Sequence, residues 1–202
     1  GSPAIDNGVV VAPYSSGELV ALKVQNGQEL WNDSFAGSRR DLGTATLASI
    51  RGRPIIDLNM VFAISNNGQL TAINLRTGKR IWERNIGGIE SPWVAGNYLF
   101  LISNNTNLVA LGKKDGHIYW VTDLPKWKNK KNQKNQITWT GPVLGSDRLI
   151  LAGSGGQAVS ISPYSGKILG KKKMPDDVTI SPVIAQDTLI FLSDDAELVS
   201  YR

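Results

Sequence analysis

The stretch Gly68-Gln-Leu-Thr-Ala-Ile-Asn-Leu-Arg-Thr-Gly-Lys-Arg-Ile-Trp82 decides the fold. Leu70 and Ala72 fall on one side of an extended segment and their neighbours on the other, the period of a β-strand. Thr77-Gly78 marks a turn, and Trp82 rides on the strand that returns from it. The segment recurs as Gly17-Glu-Leu-Val-Ala-Leu22, Thr106-Asn-Leu-Val-Ala-Leu111, Gly156-Gln-Ala-Val-Ser-Ile161 and Ala196-Glu-Leu-Val-Ser-Tyr201. The turn recurs as Asn26-Gly27, Asp115-Gly116 and Ser165-Gly166, and the tryptophan as Trp31 and Trp120.

One ruler governs every copy. Pro3, Pro54, Pro92, Pro142 and Pro182 each stand fourteen residues before the strand segment and, where the chain reaches it, 28 before the tryptophan position. The fourth copy has Gly170 at that position. An apolar run lies between proline and segment: Val9–Ala12, Met60–Ile64, Tyr98–Ile102, Leu149–Ala152 and Leu189–Leu192. Each repeat therefore reads as four short strands, one at the proline, then the apolar run, the alternating segment and the tryptophan strand. Repeats of this length and strand content make a propeller or solenoid, and four antiparallel strands per repeat make the blade of a β-propeller. The expected fold is all-β, a partial β-propeller of about four and a half to five blades. The blades span residues 1–36, 48–86, 89–124, 137–173 and 178–202, the last lacking its outer strand.

Strands that alternate in direction place the loops between strands two and three on the same face as the connectors between blades. The Gly-containing turns fall on the opposite face. Successive prolines are 51, 38, 50 and 40 residues apart, and two long connectors, about Asn32–Ile50 and Val121–Ile137, carry the difference. Long loops on a rigid scaffold are where binding concentrates. Propellers close by sharing one blade between their termini, which hides a sheet edge. The chain is accordingly expected to be the C-terminal part of a larger ring whose upstream residues complete the last blade. An open fragment of that kind is expected either to pair with itself to complete a ring or to hold together as a curved fragment.

Composition narrows the chemistry. With 41% apolar residues the chain has material for a buried core, and no run is long and apolar enough to span a membrane as a helix. The absence of cysteine excludes disulfides, thiolate metal sites and cysteine nucleophiles. A net charge of +5 suits a weakly anionic partner and falls short of a dedicated nucleic-acid binder. His117, the single histidine, follows a turn and has no second histidine to share a metal. The doublets Asp176-Asp177 and Asp194-Asp195 lack the alternating oxygen ligands of a calcium loop. No serine sits in a nucleophile elbow. No catalytic, cofactor or metal residue is assigned.

Three groups of residues remain. Trp31, Trp82 and Trp120, one per blade, suit structural packing between blades. The run Lys126-Trp-Lys-Asn-Lys-Lys-Asn-Gln-Lys134 carries five lysines and reads as a solvated loop, with attraction to anionic lipid or nucleic acid as the sharper alternative. Arg39, Arg40, Asp41 and Leu42, with Ser49, Arg51 and Arg53, concentrate arginine at the start of the second blade. They form the candidate protein-binding patch, since arginine is enriched at interface hot spots.

The repeat resembles the quinoprotein, or PQQ-like, propeller repeat: Gly-x-Leu-x-Ala-Leu, a spacer, Thr-Gly, then Trp. Two branches of that group compete. Quinone-dependent dehydrogenases would bring a calcium-bound cofactor and catalytic aspartate, often with a cysteine pair; this chain has no cysteine and no acidic calcium cluster. The other branch is the BamB family of outer-membrane β-barrel assembly lipoproteins. Val61–Trp82, Val94–Leu111 and the ending Leu189–Arg202 resemble that family. The resemblance implies an eight-bladed ring and a non-enzymatic scaffold without cofactor. It further implies an N-terminal lipid upstream of this chain that anchors the protein at the periplasmic face of the outer membrane. The implied partners are the periplasmic domains of BamA and unfolded outer-membrane proteins. In that family the connector before the blade-opening proline carries acids that meet BamA. Ser49 and Arg51 stand at those positions here, so recognition is expected to have changed sign.

Overall fold

A computed structural model describes residues 1–35 and 48–202, and among them the regular elements are strands only. The first sheet runs β1 (Ala4–Asp6), β2 (Val9–Pro13), β3 (Glu18–Lys23), β4 (Glu29–Ser34) in that order. The second runs β5 (Ile55–Asp57), β6 (Met60–Ile64), β7 (Leu70–Asn74), β8 (Arg80–Arg84). The third runs β9 (Trp93–Ala95), β10 (Tyr98–Ile102), β11 (Asn107–Gly112), β12 (Ile118–Asp123). After a two-stranded ribbon, β13 (Trp127–Asn129) with β14 (Lys134–Gln136), the fourth runs β15 (Trp139–Gly145), β16 (Arg148–Gly153), β17 (Gln157–Ile161), β18 (Ile168–Lys173). The fifth has three strands, β19 (Val183–Ala185), β20 (Thr188–Leu192) and β21 (Leu198–Tyr201). Pairing is antiparallel, in sequence order, with no crossover. These are propeller blades, the fold expected from the repeat.

Two compact units divide the chain: Gly1–Asn97 with Gly112–His117, and Tyr98–Leu111 with Ile118–Arg202. In the first, Val11, Leu19, Ala21, Trp31, Val61 and Ile73 share one buried cluster, so the facing sides of its first two sheets form a single core. In the second, Phe191 packs with Ala158, Met174 and Val178, and Phe100 lies 6.0 Å from Trp120. The apolar alternation of the sequence is thus spent on sheet-to-sheet contact, the main source of stability in such a stack.

The tryptophan strand is bulged at one place in all four complete sheets. The register shifts between Ala21 and Leu22, Ala72 and Ile73, Ala110 and Leu111, and Ser160 and Ile161. The unpaired residues are Leu30, Ile81, Tyr119 and Leu169, whose side chains are exposed. A bulge bends its strand and adds twist, which re-aims the next residue toward the following sheet. Trp31 Nε1 donates to the Leu75 carbonyl at 2.7 Å, Trp82 Nε1 to Lys113 at 2.9 Å, and Trp120 Nε1 to Pro163 at 3.0 Å. Each indole lies against the glycine of the next sheet's turn. Gly78, Gly116 and Gly166 sit at φ of +69°, +66° and +70°, and a Cβ there would come within 2.6, 2.7 and 2.7 Å of the ring. Two residues after the tryptophan a second tie reaches the same neighbour. Asp33 pairs with Arg80 at 2.8 Å, Arg84 donates to the Asp115 and Gly116 carbonyls, and Thr122 Oγ1 donates to Gly166. The Asp33 hydrogen bond, with its negative charge, holds the Arg80 guanidinium above its ordinary pKa.

Three details differ from the sequence reading. The glycine turns extend beyond the Gly-containing pairs that mark them in the sequence: they are four-residue loops, closed by Lys23 with Gln28, Asn74 with Lys79, Gly112 with His117 and Ser162 with Lys167. The residue before each glycine accepts the N–H two positions on: Asn26 from Gln28, Thr77 from Lys79, Asp115 from His117, Ser165 from Lys167. Only short polar side chains close that ring, which explains the Asn, Thr, Asp and Ser found there. Four of the five prolines directly precede the opening strand, but Pro142 lies inside β15, where the Gly141–Pro142 bond is cis and the ladder is irregular. The lysine run, read as an open loop, contains the β13–β14 ribbon.

Candidate protein-binding face

Within each compact unit, hydrogen bonds stitch the connector that leaves a sheet to the loop between that sheet's second and third strands. Phe35 N donates to Gly17 O, Gly88 N to Ser65 O, Leu124 N to Thr106 O and Met174 N to Gly156 O. Against this base, residues 48–54 form a rigid strip. Ala48 and Ile50 are buried in the core of the first unit. Ser49, half-buried, is gripped on both sides of its backbone: its N–H donates to Asn66 Oδ1 at 2.8 Å, and its carbonyl accepts from Asn66 N at 3.0 Å. Gly52 is buried with its Cα against the following connector, and a Cβ would lie 2.7 Å from the Glu90 carbonyl oxygen. Arg53 N donates to Ser91 Oγ at 2.8 Å.

Alternation then fixes what faces water. Ile50, Gly52 and Pro54 turn inward, while Arg51 and Arg53 are exposed. Neither guanidinium has an ion-pair partner among the described residues. Two cations with no carboxylate partner among the described residues, on a hydrogen-bonded strip, form a surface that costs little ordering entropy when an acidic partner binds. Arg39, Arg40, Asp41 and Leu42, the rest of the sequence-derived patch, lie outside the described residues.

The other candidates have local roles. Lys128 Nζ meets both carboxylate oxygens of Asp177 at 2.9 and 2.6 Å, tying the ribbon to the next connector. Trp127 is half-buried in β13, opposite Gln136. Asp194 Oδ1 accepts from the Thr179 hydroxyl at 2.7 Å, and Asp195 accepts from Ser193 Oγ. Asp177 thus anchors the ribbon, and Asp194 and Asp195 brace their own loop. Among the described residues no three His, Cys, Asp or Glu side chains converge as metal ligands. Sequence reading missed the grip of Asn66 and Ser91 on the strip, since they come from two other loops, between β6 and β7 and between β8 and β9.

The bulged, tryptophan-latched four-stranded blades define a β-propeller of the quinoprotein-repeat class. A family model described as outer membrane protein assembly factor BamB matches residues 1–122, and the chain belongs to that family. The BamB of Legionella pneumophila (strain Paris) is 25% identical over 197 residues, covering 98% of this chain and 49% of that protein. That of Escherichia coli (strain K12) is 24% identical over 200 residues, covering 98% and 49%. That of Aliivibrio fischeri (strain ATCC 700601 / ES114) is 28% identical over 202 residues, covering 100% and 50%. The chain thus spans about half the length of the curated relatives it matches. Among solved structures, BamB from Moraxella catarrhalis superposes with a TM-score of 0.78 at 17% identity, covering 98% of this chain and 57% of that one. A quinohemoprotein alcohol dehydrogenase from Pseudomonas putida HK5 superposes at 0.64 with 19% identity, covering 85% and 34%. Both of these likenesses to solved structures are of fold alone.

Proposed function

We propose that this chain is part of a non-catalytic scaffold for outer-membrane protein assembly, docking an acidic surface of BamA's periplasmic domains onto Arg51 and Arg53. The observation that carries the reading is the strip itself. In a chain of the BamB family, two exposed arginines stand on a backbone held by Asn66, Ser91 and a buried Gly52. Arginine presents five donors in a rigid fork, so a carboxylate can be met by paired hydrogen bonds at each position. The protein would act at the periplasmic side of the outer membrane, held there by a lipid on a segment outside this sequence, and unfolded outer-membrane proteins would be its indirect clients.

A binding titration tests this. The chain is titrated with the periplasmic domains of its cognate BamA, then again as Arg51→Ala and Arg53→Ala. Saturable binding is expected, weakened about tenfold or more by either change, as for a charged hot spot. Binding that neither substitution alters would remove the arginine strip from the interface. No binding at all would contradict the assembly role for this part of the protein.

A further inference from the structure

The β13–β14 ribbon sorts the lysine run onto two faces. Trp127 stands opposite Gln136 and Asn129 opposite Lys134, so these four share one face, while Lys128 lies on the other. Lys128 is spent on Asp177, and the face with Trp127 and Lys134 is therefore turned away from that carboxylate. The root of the ribbon is fixed. Leu124 and Ile137 are buried at its two feet. Ile137 N donates to the Lys126 carbonyl at 2.9 Å, and Trp139 Nε1 to the Pro125 carbonyl at 2.8 Å. Beyond the root, residues 128–136 are all exposed. At the tip, which carries Lys130 and Lys131, Asn132 N donates to Asn129 Oδ1 at 3.3 Å.

The charge of this ribbon is of one sign. Lys126, Lys130, Lys131 and Lys134 are exposed and have no carboxylate partner among the described residues. No Asp or Glu occurs between Leu124 and Ser146. Like charges crowded on a short ribbon repel, and an anionic partner relieves that repulsion. The residue types say which anion. The ribbon has lysine and no arginine. Arginine's fork reads carboxylates and base edges in a fixed geometry, whereas lysine is a point charge on a long stem. Such charges suit a fluid sheet of phosphates better than a shaped protein or nucleic-acid site. Trp127 is the ribbon's one aromatic and is half-buried, so it offers little open ring for a base to stack on. An indole beside lysines is instead the combination that settles at a membrane–water interface.

We propose that the β13–β14 ribbon is a contact for the surface of an anionic phospholipid bilayer, with Lys130, Lys131 and Lys134 reaching the headgroup phosphates. The contact is separate from the arginine strip and needs no BamA.

The test is co-sedimentation of the chain with vesicles of equimolar phosphatidylcholine and phosphatidylglycerol, and with vesicles of phosphatidylcholine alone. Binding is expected to the anionic vesicles only, and to fall as salt screens the lysines. Equal binding to both vesicles, or none to either, would overturn the proposal. Lys130→Gln, Lys131→Gln and Lys134→Gln remove exposed charges without ion pairs, so each variant and the triple variant are expected to melt with the parent. Anionic-vesicle binding is expected to weaken about fivefold for each lysine removed, the worth of one basic side chain near such a surface. Undiminished binding by a folded variant would overturn the proposal. A second triple variant, Lys79→Gln, Lys114→Gln and Lys167→Gln, takes the same charge from exposed positions in the glycine turns. It is expected to bind as the parent does; a loss equal to that of the ribbon variant would mean that net charge alone draws the protein to the vesicle, and would overturn the placement. Saturable binding of a DNA oligonucleotide through the ribbon lysines, with no binding to anionic vesicles, would give the ribbon to nucleic acid instead.

Discussion

Gly116 has no Cβ because Trp82 occupies the space, and Trp82 reaches that space because Ile81 is bulged out of its strand. This chain of cause links residues far apart in sequence, so substitutions along it should couple. Trp82, 8% exposed, packs against Phe62 and donates to Lys113. Trp82→Ala is expected to cost about 3–5 kcal/mol in urea unfolding, the range for a buried aromatic. Gly116→Ala is expected to cost about 1–2 kcal/mol from its left-handed backbone, with further loss from crowding the indole. Once the indole is gone the crowding vanishes, so the double variant should be less destabilised than the sum of the singles. Strict additivity would show that the turn and the ring do not press on one another. Part of this was legible in sequence, since Trp31, Trp82 and Trp120 and their glycines recur on one ruler. Its second tie was not: Asp33, Arg84 and Thr122 share a position but no chemistry, Asp33 pairing with the Arg80 side chain while Arg84 and Thr122 donate to backbone carbonyls of the next turn.

At the scale of elements, strands were readable in two ways: a period of two where one face is buried, as in Leu19 and Ala21 of β3, and short unbroken apolar runs where both faces are, as in Val61–Ile64 and Leu99–Ile102. Turns were readable in place but not in size. Asn-Gly and Thr-Gly signal reversal, yet the ring closed by the Asn or Thr side chain needs four loop residues here. The β13–β14 ribbon was hidden because five lysines mask any alternation, and its anchor, Asp177, comes 49 residues after Lys128. The ribbon should depend on that anchor. Lys128→Ala removes a half-exposed pair worth at most about 1 kcal/mol, too little to unfold the chain. Limited proteolysis should instead show cleavage within residues 127–136 appearing earlier than in the parent. Unchanged cleavage would mean that the ribbon is held by its own pairing and by the Trp139 to Pro125 hydrogen bond.

At the scale of the whole molecule, regularity and departure divide the labour. The repeated latches build blades, and the strip proposed here to bind a partner lies where the repeat is broken, at the end of the long connector that leads to Arg51 and Arg53. A face that gathers loops from successive blades can be approached by a partner without disturbing the sheets behind it. The opposite face, with its short uniform turns, offers no such surface, and Lys114 there is a matched cation for comparison. Site-specific photo-crosslinking from position 51 and from position 114, in the presence of BamA periplasmic domains, separates the two faces in one experiment. A BamA adduct from position 51 and none from position 114 is the expected result; an adduct from position 114 alone would contradict the placement of the binding face.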